Sequence, residues 1–195
     1  MPVPHPLLVD IVAKVTGERF STVNNTARRL RETGLWPNGG FGNASFQREV
    51  TVEEAAYLLI GLYSGSGPTG SANYVNEFKK LSTEVDRTQT AIDCVKMFLG
   101  EFERPALDIN LVFYVDQTPL LFEVRILAET EELSTFLSER KIEIMHMYNS
   151  RYFTDPSSKS THKGATKTIV VPHAMLYEIA VQAHLHEEKG RPPRR

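Results

Sequence analysis

One cysteine, Cys94, stands in the whole 195-residue chain. A single thiol excludes an intramolecular disulfide and a cysteine-rich zinc site, and leaves Cys94 the role of a small buried hydrophobe. Long apolar runs are missing as well. The longest stretches, such as AAYLLIGLY from Ala55 to Tyr63, fall well short of the roughly 18 residues that a membrane span needs. The N-terminal stretch lacks the basic and long-apolar pattern of a signal peptide, so a cytoplasmic setting with no membrane partner is expected.

Catalytic signatures are absent too. No nucleophile elbow, phosphate-binding glycine-lysine-serine loop or dinucleotide fingerprint occurs. Six histidines are scattered along the chain. His184 and His186 are two apart on a helix and diverge by about 200°, which chelation from one face does not allow. His173 opens a helix, where a surface role is expected. Glu129, Glu131 and Glu132 cluster where a helix N-terminus favours negative charge. The expectation is therefore no enzyme, no metal and no cofactor.

What is present is an ordinary globular composition, 41% hydrophobic and 24% charged, enough to bury a core. The net charge of −2 conceals an uneven distribution. Residues 1–48 hold six basic groups (Lys14, Arg19, Arg28, Arg29, Arg31, Arg48) against three acidic ones (Asp10, Glu18, Glu32), and the rest of the chain holds 16 against 21. A mildly basic head on an acidic body fits a chain in which only the head meets a polyanion.

Leu7, Leu8, Ile11, Val12 and Val15 recur at helical spacing behind Pro4 and Pro6, which predicts a helix from about Pro6 to Val15. Thr16-Gly17 ends it, and a second helix runs from Ser21, as the capping residue, to about Thr33 before Gly34. The segment LWPNGGFGNASFQREV carries Asn38-Gly39 as a tight-turn signal. Thr51 and Glu54 form a capping box for a strongly apolar helix to about Tyr63. SGSGPTGS, Ser64 to Ser71, reads as a linker and domain boundary. Helices are expected at Ala72 to Leu81 and Thr90 to Phe102. From Leu107 the pattern alternates, giving two strands joined through DQTP. A helix near Glu131 to Ser138 follows, then strands at Tyr148 to Phe153 and Lys167 to Val171. A last helix extends from Pro172 to about Leu185. Because Leu107, Val112, Tyr114 and Leu121 add a second apolar face to the hairpin, one face is expected on helices and the other on a partner. The polar run Asp155 to Thr166 is expected as a loop and KGRPPRR as a disordered tail.

Ala13, Gly17 and Val23 have the spacing of a helix-turn-helix: a small residue for close approach, a glycine for the turn, a branched residue to seat the second helix. With Thr22, Val23, Asn24, Arg28, Arg29, Leu30, Arg31, Glu32, Gly34 and Leu35, the stretch from about Leu7 to Thr51 resembles the winged helix-turn-helix family of bacterial regulators. It also resembles the N-terminal part of alphaproteobacterial and prophage proteins that share the glycines at Gly39, Gly40 and Gly42. Glu18 departs from the family pattern, which is apolar just after the turn glycine; Phe20 is expected to reach the core in its place.

The resemblance covers the N-terminal part alone; with the pattern of the remaining residues, the expected chain is α+β: a winged helix-turn-helix over 1–64, a linker and helical segment over 65–105, a sensing or oligomerisation domain over 106–188 with a small antiparallel sheet and packed helices, and a tail over 189–195. On a helical wheel Ser21, Asn25 and Arg28 lie within about 40° of the side opposite Val23. Asn24, Asn25 and Arg28 are the expected base readers, by amide pairing with adenine and guanidinium pairing with guanine. Ser21 and Thr22 at the helix start, with Lys14, Arg19, Arg29 and Arg31, are expected near phosphates. Asn38, Gly39 and Gly40 would form a short wing. The implied function is sequence-specific binding of double-stranded DNA by a prophage or mobile-element transcriptional regulator acting as a homo-oligomer, with a dimer favoured. The alternatives are a DNA-recognition subunit of the phage small terminase type, and a protein-binding adaptor in which the head contacts protein; the plain structural reading is an ordinary helical hairpin whose arginines form a solvated face.

Overall fold

The computed structural model describes residues 4–36, 49–65, 67–82, 90–100, 109–115, 120–127, 131, 134–135, 150–154 and 168–185, with the backbone alone for 150–154. Helix α1 is His5–Thr16 and α2 is Phe20–Glu32. Pro4 precedes α1 in extended conformation, and Pro6 occupies its first turn, where a missing N–H costs nothing. At the far end Gly17 adopts φ +72°, the left-handed conformation that turns the chain into α2 within three residues. The exit of α2 is closed by the Trp36 N–H donating to the Leu30 carbonyl at 3.0 Å.

Helix α3, Val52–Leu62, starts at the expected capping box: Thr51 Oγ1 accepts from the Glu54 N–H, and Glu54 Oε2 accepts from the Thr51 N–H. The next element differs from the sequence expectation. Helix α4 spans Gly67–Phe78, so much of the stretch expected as a linker is helical. The physical reason is that Pro68 supplies a fixed φ at the start, Ser71 Oγ closes back onto the Pro68 carbonyl at 2.7 Å, and Tyr74, Val75 and Phe78 bury one face. Helix α5, Ala91–Gly100, buries Ile92, Val95, Phe98 and Leu99 as expected, together with Cys94. Phe102 lies outside the described residues.

Strands β1 (Ile109–Tyr114), β2 (Leu121–Ile126), β3 (Ser150–Thr154) and β4 (Thr168–Pro172) form an antiparallel sheet in the order β3-β2-β1-β4. Phe113 pairs with Phe122, Leu111 with Val124, and Leu111 also with Val171, giving one apolar face. Phe78 of α4 docks on that face with ring centroids 5.7 Å from Phe113 and 5.1 Å from Phe122. On the other face Val112 and Glu123 are buried; the Glu123 carboxylate accepts from the Tyr114 hydroxyl and from Arg125 at 3.0 and 2.9 Å.

Helix α6, His173–Gln182, follows β4 directly and packs on α1 and α5. His173 is fully buried rather than at the surface, its ring edge-on to Phe98 at 5.4 Å. Burial pushes its imidazole down to about 4, against a hydrogen bond with the Phe98 backbone that pulls upward. One contiguous hydrophobic core extends from Leu8 to Leu185 and crosses the boundary expected near residue 64. The chain is thus α+β, with its N-terminal helix pair built onto the same core as the sheet. The expected helix near Glu131 to Ser138 falls mostly outside the described residues, as do the loop at Asp155 to Thr166 and the tail.

Candidate nucleic-acid interface

Ala13 of α1 and Val23 of α2 are both buried, Val23 with no exposed surface. Helix α2 touches α1, α3 and α4, so three neighbours cover it. Gly61 of α3 makes this possible: a Cβ there would stand 3.2 Å from Thr26 Cγ2 and 3.3 Å from Ser71 Cβ, so α2 and α4 both close onto a bare backbone.

Val23, Thr26, Ala27 and Leu30 fill the covered arc. Ser21, Asn24, Arg28 and Glu32 are exposed on the open one, and Thr22, Asn25 and Arg29 border it half-buried. Five of the expected contact residues on α2 therefore gather on one stripe about three turns long, with Thr22 at its edge. It offers an alcohol, two amides that both donate and accept, and two guanidinium forks that only donate.

Electrostatics temper this stripe. Arg29 Nη1 sits 2.7 Å from Glu32 Oε2, and Arg28 Nε lies 3.6 Å from Glu32 Oε1. Lys14, exposed on α1, pairs with Asp10 at 2.6 Å. Exposed pairs of this kind are worth about 0–1 kcal/mol, so a phosphate can displace the carboxylate at little cost. Glu32 nevertheless keeps a negative charge at one end of the stripe.

Three sequence expectations change at this surface. Ser21 is not the capping residue: α2 begins at Phe20, Arg19 occupies the cap position in extended conformation, and no side chain caps the helix. Phe20 does not reach into the core and is 53% exposed, because the turn through Glu18 and Arg19 leaves the first residue of α2 on the outside. Arg31 is half-buried, with its guanidinium 5.7 Å from the centre of the Trp36 ring, and burial lowers its pKa from the usual arginine value. It braces the exit of α2 instead of reaching outward. Arg19 is exposed beside the turn. Asn38, Gly39 and Gly40 lie outside the described residues.

A buried polar group that has no signal in the sequence joins the same elements. His5 Nε2 lies 3.1 Å from Trp36 Nε1 and 3.2 Å from Glu54 Oε2, joining the start of α1, the exit of α2 and the start of α3. Only tertiary packing brings residues 5, 36 and 54 together. Among the described residues, no three His, Cys, Asp or Glu side chains gather as a metal set, and no helix is long and apolar enough to cross a membrane. No protein-family model, curated protein or solved structure matches the chain.

Proposed function

We propose that the chain binds double-stranded DNA sequence-specifically through α2, as a transcriptional regulator of a prophage or mobile element that acts as a homo-oligomer. The observation that carries this reading is the open stripe of Ser21, Asn24 and Arg28, bordered by Asn25 and Arg29, on the second helix of a tightly turned pair. Its geometry suits a groove: an α-helix with side chains is about 10–12 Å across, and the major groove of B-DNA is about 12 Å wide. Asn24, Asn25 and Arg28 then face base edges. Ser21 and the free backbone donors at the start of α2 meet phosphate, with Arg29, Arg19 and Lys14 alongside. Two copies related by a two-fold axis cover half-sites about 34 Å apart.

The test is fluorescence anisotropy on fragments of the host genome at two salt concentrations, with light scattering for the number of copies. Binding is expected to weaken steeply with salt. Arg28→Ala is expected to relax preference at one base position by about 1–3 kcal/mol, and Lys14→Ala to weaken all sequences alike. Absence of any salt-sensitive binding, or equal binding by both variants and the wild type, removes the reading.

A further inference from the structure

Strand β4 is an outer strand of the sheet: β1 pairs along one side of it, and among the described residues no strand pairs along the other. A strand so placed turns a row of N–H and C=O groups away from the sheet, and proteins commonly guard such an edge with charge, proline or a covering element. β4 has little of this. Its sequence, TIVVP, carries no charged residue, its first four residues are all β-branched, and its one guard is Pro172 at the last position. Val170 is 45% exposed, and Thr168 and Pro172 are exposed on the same face of the strand. Lys167 stands one place before the strand in the sequence.

We propose that β4 is the surface through which two copies of the chain associate, edge to edge and antiparallel, related by a two-fold axis through Val170. This names the interface of the homo-oligomer proposed above and rests on that part of the reading. A five-residue strand overlaps its own copy in full only when the axis passes through its third residue, so Thr168 faces Pro172, Ile169 faces Val171 and Val170 faces Val170. Side chains directly opposed across paired strands stand about 4.5–5.5 Å apart, where apolar β-branched pairs attract and like charges repel. Every opposed pair here is uncharged, and antiparallel pairing sends the two copies of Lys167 to opposite ends. A two-fold contact requires one patch to complement itself, which a short run of small branched side chains without charge satisfies.

Both faces gain from the pairing. On the core side Ile169, half-buried and paired with Phe113, meets Val171 of the second copy, which is paired with Leu111, so the apolar layer continues across the axis. On the other side the exposed Val170 is covered by its counterpart. Two four-stranded sheets become one of eight strands. Because β4 passes directly into α6, which packs on α1, the axis also fixes the separation of the two α2 stripes through a continuous core.

The test is sedimentation velocity of the full chain over a concentration series. The wild type is expected to approach twice the 22.0 kDa of one chain as concentration rises. Val170→Lys brings two ammonium groups together at the axis and is expected to stay at the mass of one chain, with far-UV circular dichroism unchanged; Val170→Glu is expected to do the same. Mixing the two variants is expected to restore a dimer holding one chain of each, since an ammonium then faces a carboxylate, and a local effect on folding is not repaired by mixing. A wild type that stays single at every concentration overturns the inference, as does a dimer kept by both charged variants or a mixture that stays single. Should the charged variants fail to fold, Val170→Cys is treated with a short bismaleimide, with the wild type as control because Cys94 is buried; absence of linked pairs beyond that control overturns the inference equally. Anisotropy with DNA is read on the same samples. A single chain that binds DNA overturns this interface and leaves the DNA reading, whereas a β4 dimer that binds none removes the DNA reading and leaves the interface.

Discussion

Gly61→Ala sets two opposite effects against each other, and the structure decides between them. In an open helix the change is favourable: alanine is better than glycine by about 1 kcal/mol, largely through the unfolded chain. In α3 the new methyl meets Thr26 Cγ2 at 3.2 Å, Ser71 Cβ at 3.3 Å and Leu30 Cδ1 at 3.6 Å. Neither of the two closest atoms can turn aside. Thr26 is pinned by its hydroxyl bond to the Thr22 carbonyl at 3.0 Å, and a Cβ such as that of Ser71 moves only with its backbone. Helices α2 and α4 must therefore shift within a close-packed core, where overpacking costs about 1–3 kcal/mol. Two such contacts place the cost near about 2 kcal/mol, leaving a net loss of about 1 kcal/mol and a Tm lower by roughly 2–4 °C for a chain of this size. Gly61→Val adds volume without further helix benefit and is expected to lose about 3 kcal/mol. Urea and thermal unfolding followed by circular dichroism measure both. An unchanged or raised Tm for Gly61→Ala refutes the close approach of α2 and α4 over α3, and the orientation of the open stripe with it.

Two further outcomes concern buried titratable groups. His173 is held down to about 4 by burial, so the unfolded chain binds the extra proton between about pH 6.5 and that value. Its contribution is complete above about pH 6.5 and is lost as pH falls toward 4, up to about 3 kcal/mol; urea midpoints across this window should fall steeply for the wild type and less for His173→Gln. Arg125→Ala leaves the buried Glu123 carboxylate without its guanidinium and is expected to cost about 2 kcal/mol, whereas Glu123→Gln costs less because Arg125 is 44% exposed and water takes over. Equal Tm values for the two variants would show that the pair is not set as described.

Elements governed by local chemistry were legible in the sequence. The turn at Gly17, the capping box at Thr51, the hairpin of β1 and β2, and the step from β4 into α6 all follow from spacing and side-chain type. What failed was set by distant partners. Gly67, Gly70 and Ser71 read as linker because their composition favours coil, yet Pro68 and the sheet-facing Phe78 make the segment a helix. Phe20 stands outside the core and Arg31 is half-buried, the latter because Trp36 folds back beside it, which a wheel drawn from periodicity does not know. Five members of the candidate stripe were readable because helical angle alone aligns them. The His5 junction was not, as it joins side chains from three separate elements.

The pair α1 and α2 shares its floor with the rest of the molecule: α6 lies under α1, and α3 with α4 under α2. A fragment ending at residue 64 would keep α3 but strip the last helix from α1 and α4 from α2. Transplanting the α1–α2 pair onto another carrier thus requires bringing α4 and α6 along, and with α4 the sheet on which its Phe78 rests.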